Sequence, residues 1–114
     1  EGICRAAGVD MVTVVDPVDL PALERALRDA LAHEGPAVII ARRPCVLISR
    51  DRRPPYQIDE NTCIQCGLCL RLGCPAIGVD QGQPWIDAEL CVGCGLCAQV
   101  CPTNAIRNVD VTDQ

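Results

Sequence analysis

Eight of the ten cysteines of this 114-residue chain occur in two short runs with nearly the same spacing. The first run reads C-x2-C-x2-C-x4-C-P and the second reads C-x2-C-x2-C-x3-C-P. Thiols at such short intervals can bind metal or form disulfides, and their spacing helps to separate these possibilities. The eight residues are Cys63, Cys66, Cys69, Cys74, Cys91, Cys94, Cys97 and Cys101.

Three kinds of site compete for these residues. A disulfide framework would suit a small cysteine-rich chain, but C-x2-C-x2-C triplets do not pair neatly and no secretory signal is recognisable. Structural zinc takes four ligands, usually as two C-x2-C pairs. A [4Fe–4S] cluster can take three thiolates from one tight turn and a fourth from elsewhere. The two tandem triplets, each with a more distant cysteine, therefore favour two [4Fe–4S] clusters.

The fourth cysteine of such a run binds the other cluster in two-cluster proteins. The expected ligand sets are Cys63, Cys66, Cys69 and Cys101 for cluster 1, and Cys91, Cys94, Cys97 and Cys74 for cluster 2. Gly67 and Gly95 lie between the second and third ligands of each triplet. A positive φ there would bring amide N–H groups close to sulfur, and such contacts help to set a reduction potential.

The cysteine runs belong to an internal repeat of about 28 residues. Residues 58–69, IDENTCIQCGLC, align with residues 86–97, IDAELCVGCGLC, at an offset of 28.

The first run has four residues before its last cysteine, whereas the second has three. Gly73 could absorb this extra residue as a one-residue bulge before Cys74. Trp85 is expected to be a packing residue. The repeated apolar positions, expected to form the core, are Ile58, Ile64, Leu68, Ile77, Val79, Ile86, Val92, Leu96, Ile106 and Val109.

Residues 56–112 resemble the bacterial-type two-cluster ferredoxins. The resemblance is carried by the two cysteine runs and by the prolines that follow them, Pro75 and Pro102. It implies a ferredoxin-like βαββαβ domain with pseudo-twofold symmetry, wrapped around two [4Fe–4S] clusters. The fold class expected for the whole chain is therefore α+β.

The first half of the chain predicts a strand, a helix and a second strand. MVTVV at 11–15 and AVIIA at 37–41 are short β-branched runs typical of buried strands. Between them, Asp19 is a candidate N-cap, Pro21 suits the first helical turn, and Gly35 and Pro36 end the helical pattern. Such a βαβ unit with a parallel pair is too small to fold alone. We expect it to be the edge of a larger α/β domain.

The other residues with potential chemistry in this half receive simpler interpretations. His33, at the predicted helix end, is expected to cap the helix or lie on the surface. Cys4 and Cys45 lie outside both runs and are expected to be small buried apolar residues. Arg42, Arg43, Arg50, Arg52 and Arg53 could form a solvated linker or dock onto an acidic surface. These two alternatives remain open.

The charge distribution separates the two halves. Residues 1–53 contain eight Arg and eight Asp or Glu, whereas residues 54–114 contain two Arg and seven Asp or Glu, a net charge of 2 − 7 = −5. With the prolines at 54 and 55, this change predicts a linker at 44–55 and domains at 1–53 and 54–114. The acidic half disfavours nucleic acid, and no apolar run of membrane-spanning length occurs. We expect a cytoplasmic protein.

A closer resemblance covers nearly the whole chain. VVDPVDLPALERALRDALAHEGPAVIIARRPCVL at 14–47, followed by the two cysteine runs, is similar to the C-terminal end of the large subunit of indolepyruvate ferredoxin oxidoreductases. In that family too, four residues separate the third cysteine of the first run from the Cys-Pro that ends it. The resemblance implies that residues 1–53 are the C-terminal βαβ edge of a domain that binds thiamine diphosphate and Mg²⁺.

The same resemblance implies the reaction. A 2-oxoacid such as indolepyruvate is decarboxylated on thiamine diphosphate, coenzyme A accepts the acyl group, and two electrons pass to an external ferredoxin. A second, beta subunit is an implied partner. The GDG…N pattern of thiamine sites does not occur in these 114 residues. This chain would therefore carry electrons and contain no catalytic residue of the decarboxylation.

Three other functions remain open from the sequence. The chain could be a freestanding low-potential carrier ferredoxin, or a ferredoxin-type subunit of another oxidoreductase. It could also be an interaction module in which metal only holds the fold together. Reduction of the metal-loaded protein at low potential distinguishes the electron-transfer functions from the structural one.

Overall fold

The computed structural model describes residues 1–49 and 53–109. The chain divides into two compact units, residues 1–45 and 46–114. This division lies inside the expected linker at 44–55 and N-terminal to the boundary expected after residue 53. In the described ranges, no helix has the length and apolar character needed to cross a membrane.

The first unit contains two helices and two strands. They are α1 (Gly2–Ala6), β1 (Met11–Val15), α2 (Leu20–Ala32) and β2 (Ala37–Ala41). β1 and β2 pair in parallel from Met11↔Ala37 to Val15↔Ala41, and α2 connects them. The sequence predicted these three elements, whereas the short helix α1 was not expected.

The ends of α2 follow from its capping residues. The Asp19 carboxylate accepts a hydrogen bond from the amide of Ala22 at 3.0 Å, which satisfies one of the unpaired donors of the first turn. Pro21 lies in that turn, where its missing N–H costs nothing. His33 is the C-cap in extended conformation, and Gly35 follows with a φ of 125°. The helix therefore ends one residue earlier than a capping motif with Gly35 at the C′ position would require.

The first unit leaves much of its apolar surface uncovered. Its buried residues are Val15 on β1 and Ala26 on α2. Leu27 and Leu31, which lie four residues apart on one face of α2, are 48% and 86% exposed. A two-stranded sheet with one helix cannot bury a full helical stripe on its own.

The second unit contains two strand pairs. Its elements are β3 (Tyr56–Ile58), a 3₁₀ turn (Leu70–Leu72), β4 (Ile77–Asp80), β5 (Gln83–Ile86), α3 (Leu96–Val100) and β6 (Ile106–Asn108). β3 pairs with β6, and β4 pairs with β5, both antiparallel. The repeat offset superposes β3 on β5, so the first strand of each repeat occupies an equivalent place in its pair.

One element of the expected βαββαβ order differs. A single 3₁₀ turn stands where the first helix was expected, and it ends at Gly73, whose φ is 64°. The second repeat has a five-residue α-helix at the corresponding place. The left-handed Gly73 ends the turn just before Cys74, at the extra residue of the first run.

The core of the second unit is small and contains cysteines. Cys69, Cys97 and Ile106 are buried together, and the partly buried residues around them include Tyr56, Ile58, Ile77 and Ile86. Several residues expected in the core are instead exposed. These are Ile64 (63%), Val79 (52%), Val92 (46%), Leu68 (38%) and Val109 (38%). The strand isoleucines pack inward, whereas most of the exposed residues lie in the cysteine loops.

Candidate metal centres

One small cavity of the second unit is lined by four thiols. Its lining includes Cys63, Cys66, Cys69 and Cys101, the four ligands expected for cluster 1. The rest of the lining is largely apolar and includes Ile58, Ile64, Leu68, Pro84, Ala105 and Ile106. Cys101 is thus on the same cavity as the first triplet, although it follows the second triplet in sequence.

The donor set of this cavity suits a polynuclear centre. A tetrahedral zinc site needs four ligand atoms within about 2.3 Å of a single point. In residues 1–49 and 53–109, no group of three or more Cys, His, Asp or Glu side chains is placed to hold a metal ion. A [4Fe–4S] cluster makes a different demand, because each thiolate binds a separate iron of a larger body. Four thiols spread around an apolar cavity meet the second demand.

The backbone brings each triplet close to the distant cysteine of the other run. The amide of Asp59, four residues before Cys63, donates to the carbonyl of Ala105 at 2.8 Å. The amide of Asp87, four residues before Cys91, donates to the carbonyl of Ala76 at 2.8 Å. Ala105 and Ala76 follow Cys101 and Cys74 closely and are both buried. These two equivalent bonds place the start of each triplet beside the other run's last cysteine.

Aspartate turns shape the approach to both triplets. The carbonyl of Asp59 accepts the amide of Cys63, and the carbonyl of Asp87 accepts that of Cys91, each at 2.9 Å. The Asp59 carboxylate also accepts the Thr62 hydroxyl at 2.6 Å. The hydrogen bonds from Thr62 and from the Asn61 amide lower the pKa of Asp59. The Asp87 carboxylate accepts the amide of Glu89 at 2.8 Å.

Burial controls the protonation of the innermost thiols. Burial, with a smaller contribution from the neighbouring Cys94 and Cys91, raises the pKa of Cys97 to about 11. Burial also raises the pKa of Cys69, to which Cys63 and Cys66 contribute. A buried thiolate is unfavourable without a cation, so both thiols keep their protons at neutral pH in the metal-free chain.

Cys101 has the opposite tendency. Burial acts to raise its pKa, but the Thr103 hydroxyl and the amides of Thr103, Ala105 and Ile106 together lower it. The hydroxyl oxygen of Thr103 lies 3.7 Å from the Cys101 Sγ. These donors stabilise a thiolate on the cavity of the first triplet.

The second triplet receives a hydrogen bond from a strand. The amide of Tyr56, on β3, donates to the Cys91 Sγ at 3.4 Å. The Tyr56 ring also covers Gly95, where a β-carbon would lie 3.0 Å from the phenolic oxygen. Gly95 and Gly67 have φ values of 78° and 72°, as predicted for residues within the triplets.

The remaining residues singled out in the sequence have simpler surroundings. Cys74 is half-buried, and Ile77 donates its amide to the Cys74 carbonyl at 3.1 Å. Cys4 is half-buried, but Cys45 is exposed, so the expectation that Cys45 is buried was wrong. Trp85 packs against Gly78 on the neighbouring strand, since a β-carbon at Gly78 would lie 2.4 Å from the Trp85 ring.

The arginine run is only partly described. Arg42 donates to the Glu1 carboxylate at 2.8 Å, and Arg43 donates to the Asp16 carboxylate at 2.7 Å, both within the first unit. Arg50 and Arg52 lie outside the described residues. Local ion pairs therefore account for the first two arginines.

Some residues that contribute to the site were not singled out from the sequence. They are Asp59 and Asp87, which shape the turns, and Tyr56 and Thr103, which donate to sulfur. The repeat alignment could have identified both aspartates, because they occupy equivalent positions before the triplets. The Tyr56 donor could not be found in this way, because its partner belongs to the other repeat.

A comparison with protein families matches the second repeat. Residues 84–107 match the family described as 4Fe-4S binding domain. The matched range contains Cys91, Cys94, Cys97 and Cys101. This chain therefore contains a 4Fe-4S binding domain, and its fold is a small α+β fold.

Curated relatives match almost the whole chain. The chain is 42% identical over 109 residues to indolepyruvate oxidoreductase subunit IorA of Methanothermobacter marburgensis, which covers 94% of this chain and 18% of that protein. It is 41% identical over 119 residues to the subunit of the same name from Pyrococcus abyssi, which covers 96% and 18%. The Archaeoglobus fulgidus subunit is 42% identical over 114 residues, covering 94% and 18%. The chain spans less than a fifth of the length of these relatives. It is homologous to them, as the sequence resemblance predicted.

Proposed function

We propose that this chain is the electron-transfer part of an indolepyruvate ferredoxin oxidoreductase and that it binds two [4Fe–4S] clusters. Each cluster, when bound, accepts and releases single electrons. Cys63, Cys66, Cys69 and Cys101 hold cluster 1, and Cys91, Cys94, Cys97 and Cys74 hold cluster 2. The observation that carries this assignment is the pair of backbone bonds from Asp59 to Ala105 and from Asp87 to Ala76.

Those two bonds support the crossed ligand sets for a geometric reason. In each strand pair, one strand leads into a triplet and the other strand leaves the last cysteine of the opposite run. Ile58 pairs with Ile106 in one pair, and Ile86 pairs with Ile77 in the other. The fourth thiol of each cluster thus arrives on a strand that is hydrogen-bonded next to the triplet. The cavity that joins Cys101 to the first triplet is the direct instance of this geometry.

The chain's own residues prepare the sites in three ways. Aspartate turns at Asp59 and Asp87 set the chain direction before each triplet. Apolar residues such as Ile58 and Ile106 restrict water near the sulfurs, which favours a low potential. Amide and hydroxyl donors reach individual sulfurs and stabilise their negative charge.

The remainder of the reaction is proposed from the relatives and from the first unit. We assign residues 1–53 to the edge of a larger α/β domain, because α2 leaves Leu27 and Leu31 exposed and the relatives are much longer than this chain. That domain would bind thiamine diphosphate and Mg²⁺ and act on indolepyruvate with coenzyme A. A beta subunit and an external ferredoxin acceptor would be its protein partners.

Two matched sets of variants test the ligand assignment. One variant of the full chain keeps Cys63, Cys66, Cys69 and Cys101 and has serine at the four other cluster cysteines. The second keeps Cys63, Cys66, Cys69 and Cys74 instead, so that only the fourth cysteine differs. After anaerobic reconstitution, the first variant should bind about four irons per chain and the second markedly fewer.

A mirror pair controls for misfolding. It keeps Cys91, Cys94 and Cys97 together with either Cys74 or Cys101, and here the Cys74 variant should bind the cluster. Preference for the sequential sets in both pairs would overturn the crossed assignment. Unsubstituted protein that binds iron and sulfide but accepts no electrons at low potential would overturn electron transfer and support a structural role.

A further inference from the structure

The two expected cluster sites differ at one backbone position. The repeat offset of 28 places Pro84 at the position of Tyr56, and Cys63 at the position of Cys91. The amide of Tyr56 donates to the Cys91 Sγ at 3.4 Å. The symmetric counterpart of this bond would run from residue 84 to the Cys63 Sγ. Proline has no amide hydrogen, so this bond cannot form.

The strand register shows that the nitrogen of Pro84 faces away from its partner strand. In an antiparallel pair, hydrogen-bonded and non-hydrogen-bonded residue pairs alternate. The Asp87 amide donates to the Ala76 carbonyl, so the pair Trp85↔Gly78 is hydrogen-bonded and the pair Pro84↔Val79 is not. Proline at residue 84 therefore interrupts no ladder bond, which explains why β5 tolerates it.

The same alternation holds for Tyr56. The Asp59 amide donates to the Ala105 carbonyl and the Val109 amide to the Pro55 carbonyl, so the pair Tyr56↔Asn108 is not hydrogen-bonded. The Tyr56 amide is thereby free to reach sulfur. Residues 56 and 84 have the same backbone role in their strand pairs, and only one of them has a hydrogen to donate.

Pro84 also lies where the missing donor would act. It is buried, and it lines the cavity of Cys63, Cys66, Cys69 and Cys101. An N–H group that points at a ligand sulfur stabilises the more negative, reduced form of a cluster and raises its potential. A buried ring without a donor leaves that sulfur without this stabilisation and keeps water away from it.

From this asymmetry we infer that Pro84 is a potential-setting residue, which withholds an N–H···S bond from Cys63 and lowers the reduction potential of cluster 1. Tyr56 has the opposite effect on cluster 2 through Cys91. The inference rests on the proposed function, because it requires the clusters to be bound. It concerns one donor at each site, beside the Thr103 hydroxyl and backbone amides that serve Cys101.

Restoring the donor tests this inference. Pro84→Ala and Pro84→Val each place an N–H group at residue 84, with side chains of different size. In the reconstituted full chain, voltammetry should show one of the two reduction waves moved upward in both variants. We expect a change of up to about tenfold in the reduction equilibrium, which is about 59 mV for one electron. A shift in only one variant would indicate a packing effect and overturn the inference.

The four-cysteine variants assign the shift to a site. Pro84→Ala should raise the single potential of the chain that keeps Cys63, Cys66, Cys69 and Cys101. The same substitution should leave the potential unchanged in the chain that keeps Cys74, Cys91, Cys94 and Cys97. Equal shifts in both chains, or no shift in the first, would overturn the inference.

The reciprocal change uses the other strand. Tyr56→Pro removes the N–H donor to Cys91 and should lower the potential of cluster 2. Tyr56→Ala removes the ring but keeps the N–H, and it is the control for lost packing. Equal potentials in these two variants would contradict the inference. If the unsubstituted chain itself binds no reducible cluster, the proposed function fails first, so the two failures are distinguishable.

Discussion

The two repeats of the second unit share their cysteine triplets and strand pairing but differ in the details around them. In the first repeat, a 3₁₀ turn and the left-handed Gly73 precede Cys74, and in the second, helix α3 leads directly to Cys101. Strand β3 supplies an amide to a sulfur, whereas Pro84 on β5 supplies none. The shared features are those that position the two cysteine triplets, and the differences lie at groups beside single cysteines. A duplicated fold can thus keep the positions of its cysteines while the hydrogen-bond donors around its two sites differ.

The largest asymmetry is expected at equivalent positions within the triplets. Gly93 and Gln65 both have a positive φ, 66° and 54°. A β-carbon at Gly93 would lie 2.7 Å from the Pro54 carbonyl oxygen, whereas Gln65 already accommodates a side chain that donates to Gln83 at 2.9 Å. Gly93→Ala should destabilise the reconstituted chain by about 3 kcal/mol, from backbone strain and overpacking together.

The matched control for Gly93→Ala is Gln65→Ala. It should change the midpoint of urea unfolding by much less, because a side chain at residue 65 has open space. Similar losses from the two substitutions, measured as urea midpoints with clusters bound, would show that the close approach at Gly93 does not limit stability.

A second prediction concerns the contrast in reactivity between a buried and an exposed thiol of the metal-free chain. Since the nucleophile is the thiolate, and burial raises the pKa of Cys97 to about 11, this thiol should be alkylated about 100-fold more slowly than an ordinary one at pH 8. Its rate should rise with pH up to about 11. Mass spectrometry after timed iodoacetamide treatment measures this, with the exposed Cys45 as the reference. Equal rates at Cys97 and Cys45 would contradict the burial of Cys97.

The strand isoleucines offer a smaller contrast. Ile106 on β6 is buried, and its equivalent Ile77 on β4 is only half-buried. Ile106→Ala should cost about 3 kcal/mol of unfolding free energy, and Ile77→Ala about 1–2 kcal/mol, because less surface is lost from the core. Parallel urea titrations of the two reconstituted variants measure the difference. A larger loss at Ile77 would reverse the proposed location of the core.

The smallest effect is expected at the aspartate turns. The Thr62 hydroxyl donates to Asp59, whereas the equivalent residue before Cys91 is Leu90, which has no hydroxyl. Thr62→Val should therefore raise the pKa of Asp59 towards its ordinary value. Because the native pKa is lowered, the hydrogen bond stabilises the fold above the unfolded pKa and is lost as the pH falls through the native pKa.

Carboxyl-carbon NMR of the metal-free chain follows this titration, with Leu90→Val as a control that should not move it. An unchanged pKa of Asp59 in Thr62→Val would show that the hydroxyl is not its main partner.

Much of the local structure followed from the sequence because the signals were local. Asp19 and Pro21 define the start of α2, and the β-branched runs at 11–15 and 37–41 form the strands of the first unit. The core assignments were less accurate. Ile64 and Val92 follow the repeat as faithfully as Ile106 does, yet they lie in exposed cysteine loops, and periodicity alone does not distinguish a loop residue from a strand residue.

The sequence by itself determined the number of thiols, their spacing, the internal repeat and the presence of a βαβ segment, since each is a property of residues close together in the chain. Only the tertiary structure decided which strands pair, and hence that Ala105 and Ala76 lie beside the opposite triplets. It also decided that the amide of Tyr56 faces a sulfur while Pro84 faces the cavity. The direction of a backbone amide depends on the alternation of a hydrogen-bonded ladder, and that alternation exists only once two distant strands have met.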